Sequence, residues 1–286
     1  MEGNPYGQLT TPLVVAAAYA MLFALERMRP LRKSRRGLGG RLTTNAIMTT
    51  LTFLTGAALV RGFALGAAQL SVSSDIGLLR WIPLPTPLRL VAGFLLMDFS
   101  FYWWHRANHE IGILWRFHSA HHVDPDLDVT TGFRFHPVEI AYSAPFRVLQ
   151  VLIIGVSPLL YVTYELFFQL ATLFHHSNLH LPIWLERGLN KVVVTPRMHG
   201  IHHSQVRKET DSNYSTIFRW WDYLQKTLYL CVPQSWINIG VSGYDSPEAN
   251  RTDAVLLMPF RRQKAPDKKG VKRREEPTSD PTSLAE

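Results

Sequence analysis

Residues 88–109 read LRLVAGFLLMDFSFYWWHRANH. The run from Leu88 to Trp104 is almost wholly apolar and passes without a break into His105, with His109 four positions on. A helix needs about 20 apolar residues to cross the hydrocarbon of a bilayer. Residues four apart share one helical face. The stretch therefore predicts a membrane helix that delivers a pair of histidines at its polar end.

The rest of the chain repeats that theme. All 12 histidines of the 286 residues lie between His105 and His203. They form H-x-x-x-H (His105, His109), H-x-x-H-H (His118, His121, His122), H-x-x-x-H (His176, His180) and H-x-x-H-H (His199, His202, His203). Neutral imidazole is a preferred ligand of iron, zinc, copper and nickel. Any single histidine is ordinarily a plain polar residue, but this many at helical spacing point to a specific metal site. His175 adjoins His176 yet should point to another face, so it is left out and its loss should matter little. Asp98 lies on the stripe of His105, where a carboxylate suits a partner for the N–H of a ligating imidazole.

Three further apolar runs surround the first: Thr11–Leu25, Ala46–Leu70 and Ala144–Phe174. The last is too long for one spanning helix and is read as a hairpin turning at Ser157–Pro158, with Arg147 reaching for the interface. Composition agrees: 47% hydrophobic and 12% aromatic is rich for a soluble protein. The single cysteine, Cys231, excludes an intrachain disulfide framework or cysteine-held cluster. The expectation is an all-α, multi-pass bundle of about four to five membrane helices or half-helices, with a helical cap carrying the histidines. Its parts are N-terminal helices and a basic loop over 1–97, a histidine-box region over 98–232 with the hairpin at 144–174, and an extension over 233–286, disordered from about 263.

The net charge of +8 is concentrated in Arg27–Arg41 and in Arg261–Arg274. Beside apolar segments this favours an anionic lipid surface, and no nucleic-acid motif is present. The positive-inside rule puts the Arg27–Arg41 loop in the cytoplasm. Counting helices then brings every histidine box to that same side.

Through these boxes the chain resembles the fatty acid hydroxylase/sterol desaturase superfamily. Asp98–His109 is similar to its first box, His118–His122 to its second and His199–His203 to its last. His136-Pro137-x-Glu139 and His176-x-Asn178, then Asn213–Tyr214 and Trp221–Asp222, match smaller elements over roughly Asp98–Thr227. The resemblance implies an integral-membrane enzyme with two iron ions (zinc could stand in their place) that hydroxylates or desaturates a lipid or sterol-like substrate. It implies dioxygen as co-substrate and a separate ferredoxin- or cytochrome-type electron donor, for which the basic tail could be a dock.

By the same resemblance the metal ligands are His105, His109, His118, His121, His122, His176, His180, His199, His202 and His203, with His136 a further ligand or supporting group. Asp98, Glu139, Asn178 and Asp222 are expected to tie down ligands or orient a water. Trp103, Trp104, Trp115, Phe117, Phe133, Phe135, Trp220 and Trp221 are available to wall a water-poor pocket. A zinc metalloprotease is disfavoured because His109-Glu110 has no second histidine at the required spacing. A metal transporter or a zinc-binding membrane protein without oxygenase activity is the alternative. A transporter would place its ligands near the bilayer midplane.

Overall fold

The protein is described here as a computed structural model covering residues 5–263. The basic tail beyond Gln263, and the disorder expected there, lie outside the described residues. Helices make up the framework: α1 Pro5–Met28, α2 Leu38–Thr55, α3 Gly62–Ser73, α4 Leu78–Trp81, α5 Thr86–Glu110, α6 Gly112–His122, α7 Pro137–Ile154, α8 Pro158–His176, α9 Ile183–Leu189, α10 Pro196–His202, α11 Arg207–Thr210, α12 Trp220–Leu224 and α13 Thr252–Leu257. No strand forms among the described residues, only isolated bridges such as Val193 with Phe218.

Among the described residues, three segments are long and apolar enough to cross a membrane: Thr11–Met28, Leu38–Trp81 and Pro137–Ile154. The protein is thus an all-helical, multi-pass membrane protein. α5 and α8 run with these helices but fall short of the same apolar measure. α8 ends in His175 and His176, and α5 carries His105 and His109 in its last two turns and Asp98 within it. α2 and α3 are joined without a break by a π-helical turn at Gly56–Arg61 that packs on α7. Small residues Ala64, Ala67 and Ala68 let α3 approach closely, and they share a core with Met97, Val151, Leu160 and Tyr164.

The Ala144–Phe174 run folds as the expected hairpin, although its first arm begins earlier, at Pro137. His136 caps that end and Pro137 occupies the first turn, where its missing N–H costs nothing. Gly155 closes the arm with φ 86°, and the Ser157 hydroxyl caps α8 by accepting from the Leu160 N–H. The turn rests on Gly77, at φ 113°, where a Cβ would collide with the Gly155 backbone. The α3–α4 turn and the hairpin tip thus meet at the end of the bundle away from the histidines.

Arg147 departs from expectation. It is buried rather than drawn to the interface, because Glu165 lies 3.0 Å away and the Phe101 and Phe168 rings flank its guanidinium at 4.7 and 5.1 Å. Gln150 accepts from it at 3.0 Å and donates to the Met97 carbonyl and Ser100 hydroxyl, joining α7 to α5.

The Arg27–Arg41 loop also has a second role. Arg41 is buried and bonds Asp124 and Asp128, each at 2.7 Å; Arg27 reaches Asp128 at 2.9 Å. Arg32 donates to Gln234 Oε1 at 2.6 Å and to the Pro196 carbonyl at 3.4 Å. A Cβ on Gly200, inside the last box, would strike the Arg32 guanidinium. The loop is therefore docked on the histidine-bearing cap, which puts the end of α1, the start of α2 and the boxes on one side.

Candidate metal centre

Each box sits where a helix enters the cap. On α5 the buried stripe Asp98, Tyr102, His105, His109 faces inward. α6 presents His118, His121 and His122, α8 ends in His175 and His176, and α10 carries His199 and His202 with His203 at its C-terminal cap. Nine of these histidines converge into two groups. One holds His105, His109, His118, His122 and His202; the other holds His121, His176, His199 and His203. Within each group one ring nitrogen per residue lies within 4.8 Å of every other. The groups adjoin, with the His122 and His203 rings stacked at 4.2 Å.

The hydrogen bonds fix where the protons are. A carbonyl can only accept, so a ring nitrogen bonded to one must carry hydrogen. His105 Nδ1 donates to the Tyr214 carbonyl and His202 Nδ1 to the Ser212 carbonyl, both at 2.7 Å. In the neutral rings both Nε2 atoms then hold lone pairs, and these face each other at 3.1 Å. In the second group His176 Nδ1 donates to the Thr172 carbonyl at 2.8 Å, so its Nε2 holds a lone pair, and that nitrogen lies 3.0 Å from both His121 Nε2 and His199 Nε2, whose own Nδ1 atoms have no partner.

Protonation does not relieve these contacts. Burial holds His121, His122, His199 and His203 well below the usual imidazole range and pushes His176 and His202 down to about 3. Lone pairs converging at such distances, in buried neutral rings, suit a cation between them. Other ring nitrogens agree. Both nitrogens of His109 and His122, and Nε2 of His118, are buried without a hydrogen-bond partner. The donor set thus fits transition-metal ions.

The supporting contacts are partly those expected. Glu139 Oε1 takes the His118 Nδ1–H at 2.7 Å, which leaves His118 Nε2 for its group. Asp222 acts at one remove. Its carboxylate accepts from the Tyr214 and Ser215 N–H groups at 2.8 and 2.9 Å, and so holds the segment whose carbonyls bind His105 and His202. Asn213, at φ 54°, pins the same segment by donating to the Met198 and Tyr229 carbonyls. This carbonyl strap at 212–216 escaped the sequence reading, although Asn213–Tyr214 marked its place.

Four expected site residues lie elsewhere. His136 belongs to neither group: Nδ1 accepts from the Val138 N–H at 3.2 Å and Nε2 donates to the Leu256 carbonyl at 3.1 Å, so both nitrogens are spent. His180 is exposed, beyond the bridge between Pro30 and Leu179. Asp98 binds no histidine; it accepts from the Phe218 N–H at 3.0 Å and Trp221 Nε1 at 2.7 Å. Asn178 orients no ligand, since its amide exchanges bonds of 2.9 and 2.8 Å with the Arg32 N–H and carbonyl.

Of the aromatic residues, Trp115 lies 5.0 Å from the His109 ring and Phe135 stacks on His121 at 4.4 Å. Phe117 packs on His136, Trp104 on Phe146, and Trp103 and Trp220 are exposed. Phe133 joins Leu22 and Leu173 in a separate cluster. A cavity of about 300 Å³ reaches His109 and Trp115 past Thr210, Asp211 and Tyr244.

Comparison with known proteins follows the same segment. The fatty acid hydroxylase family model matches residues 90–227. An ornithine lipid hydroxylase of Rhizobium tropici is 29% identical over 261 residues, covering 88% of this chain and 76% of its own length. Human alkylglycerol monooxygenase is 30% identical over 142 residues, 49% of this chain and 31% of that protein. A very-long-chain aldehyde decarbonylase of Oryza sativa is 31% identical over 142 residues, 46% of this chain and 22% of that protein. The chain therefore spans less than a third of the last two. No solved structure matches it.

Proposed function

We propose, from the match of residues 90–227 to the fatty acid hydroxylase family model, that this protein is a membrane-bound oxygenase that hydroxylates a lipid at a pair of iron ions. The observation that carries the reading is the set of inward lone pairs. His105, His109, His118, His122 and His202 would hold one ion, and His121, His176, His199 and His203 the other. Zinc would fit the same nitrogens, so metal identity is part of the test.

Bound iron would supply the activation of dioxygen: with two electrons and two protons, one oxygen atom enters a C–H bond and the other leaves as water. The electrons come from a separate carrier of ferredoxin or cytochrome type. The protein's part is to position and to shield. Neutral imidazoles leave the ions' charge uncompensated, unlike the bridging glutamates of soluble di-iron bundles. Glu139 and the strap fix ring orientations. Trp115 and Phe135 keep water from the rings they cover, which protects a reactive site from wasted turnover. Asp211, 4.0 Å from His109 Nδ1 at the wall of the cavity, is placed to pass protons from the cap side.

Hydroxylation is favoured over desaturation because the relatives above include a hydroxylase and a monooxygenase. The Rhizobium relative, matched over most of its length, makes an amphiphilic lipid with an amino-acyl head the first substrate class to try. The boxes face the cytoplasm, since the docked arginine loop shares their side. Transport is not favoured: the histidines gather at helix ends and in the cap, away from a midplane site.

The test is lipid mass spectrometry of cells with and without the gene, paired with metal analysis of the purified protein. A gain of one oxygen on a defined lipid, with two irons per chain, supports the reading. Metal uptake into vesicles without lipid oxidation would replace it with transport.

A further inference from the structure

The strap does not end at the cap. Beyond Thr216 the chain enters the bundle: Ile217 is buried in the same core as Ala64, Val151, Leu160 and Tyr164. Phe218 packs edge-on against Phe94, with centroids 6.2 Å apart, and Trp221 lies 5.0 Å from Phe99. Phe94 and Phe99 precede His105 on α5 by eleven and six residues. At 1.5 Å per residue they lie about 16 and 9 Å from that box, toward the far end of the bundle. Asp98, between them, fixes the descent by accepting from the Phe218 N–H and Trp221 Nε1. Residues 217–224 therefore hang below the cap, alongside the apolar run of α5.

The end of α9 is tied to the same level. The Val194 N–H donates to the Ile217 carbonyl at 3.0 Å, the Arg219 N–H to the Val192 carbonyl at 3.1 Å and Trp220 Nε1 to the Lys191 carbonyl at 3.1 Å. These bonds join α9 and α12 into one foot. Its outer face is apolar and aromatic: Trp184 is 72%, Tyr223 68% and Leu224 61% exposed, and Val192 and Trp220 are exposed with them. Its charge is one-sided. Arg187, Lys191 and Lys226 are exposed, whereas the acids of the two stretches, Glu186 and Asp222, are buried. Tryptophan and tyrosine beside lysine and arginine suit the headgroup layer of a bilayer, and basic charge without an exposed acid suits anionic lipid.

We propose that this foot, residues 183–194 and 217–226, lies in the headgroup layer of the leaflet next to the cap and takes anionic phospholipid as its partner. Trp184, Trp220 and Tyr223 reach the boundary with the acyl chains, and Arg187, Lys191 and Lys226 meet the phosphates. The foot also touches the strap: Asp222 stands on α12 and accepts from the Tyr214 and Ser215 N–H groups. A leaflet that seats α12 thereby steadies the segment whose carbonyls orient His105 and His202. The seating itself requires no bound ion, so it is tested apart from the oxygenase reading.

Full-length protein is placed in lipid nanodiscs with Cys231→Ser and one nitroxide label, on Trp184→Cys, on Tyr223→Cys or, as a reference on the cap, on Lys208→Cys. Oxygen gathers in lipid and a soluble nickel chelate in water. In phosphatidylcholine discs oxygen should relax the labels at 184 and 223 more than nickel does, with the order reversed at 208. Mixing in phosphatidylglycerol should raise the oxygen-to-nickel ratio at 184, and Lys191→Gln with Lys226→Gln should cancel that rise. Labels at 184 and 223 that meet nickel more than oxygen put the foot in water, and labels shielded from both reagents put it against a second copy of the chain. Either result overturns the proposal, and a ratio indifferent to phosphatidylglycerol overturns the choice of an anionic leaflet.

Unlabelled protein gives an independent reading. Phosphatidylcholine brominated near the top of its chains should quench Trp184, so Trp184→Phe should show a smaller quenched fraction of tryptophan fluorescence. An unchanged fraction overturns the proposal.

Discussion

Replacing His202 by alanine removes one of the two lone pairs that meet across 3.1 Å from His105, and His121→Ala removes the ring nitrogen that faces His176 Nε2 at 3.0 Å. Each should lower bound metal and abolish lipid oxidation, read by metal analysis and product formation. His180→Ala should leave metal content unchanged, because that side chain is exposed and outside both groups. Glu139→Gln keeps the size of the side chain but weakens its claim on the His118 Nδ1–H, and metal affinity should fall about tenfold. Local spacing made most of these positions legible: i+3 and i+4 repeats force rings onto one face whatever the fold. Asp98 and Asn178 were not legible, since Asp98 meets the backbone of Phe218 and Asn178 meets that of Arg32. Spacing says nothing about such distant partners. His136, expected from the resemblance as a ligand or supporting group, instead caps α7 and donates to the Leu256 carbonyl.

The hairpin turn is the place where a helix-to-helix connection depends on one backbone angle. Gly155 adopts φ 86°, and a Cβ there would press on the Gly77 backbone and the Arg80 side chain. Gly155→Ala should cost about 1–3 kcal/mol through left-handed strain, with further loss from crowding. Thermal unfolding in detergent checks this, and an unchanged midpoint would count against the described turn. The Ser157–Pro158 break was readable because serine caps and proline begins helices. The start of α7 was not, because hydropathy rises only after the first polar turn. The strap at 212–216 was equally hidden. It works through backbone carbonyls, which every residue has, so no side-chain pattern announces it.

The whole bundle is held to its cap by ion pairs that titrate. Burial alone would raise the Asp128 carboxyl, but the hydrogen bond and charge of Arg41 override it, helped by Thr130 and Arg27, and hold it well below the usual carboxylate range. A carboxyl depressed in the folded state adds stability that is full above its unfolded value, near 4, and is lost as pH falls toward the folded value. The contribution of Asp128 to stability should therefore be full above about pH 5 and decline below about 4; Asp128→Asn should be less stable at neutral pH and should lose that part of the acid dependence. Apolar runs and the positive-inside rule were enough to bring the boxes to one side. They read the arginines as a lipid-facing cluster, however, when three of them grip the cap.

That grip orders events during synthesis. The ribosome finishes Arg32 long before it reaches Gly200, so the latch is waiting in the nascent chain when the final box emerges. The last histidine box is thus closed by a side chain from the loop between the first two helices, made more than 160 residues before it.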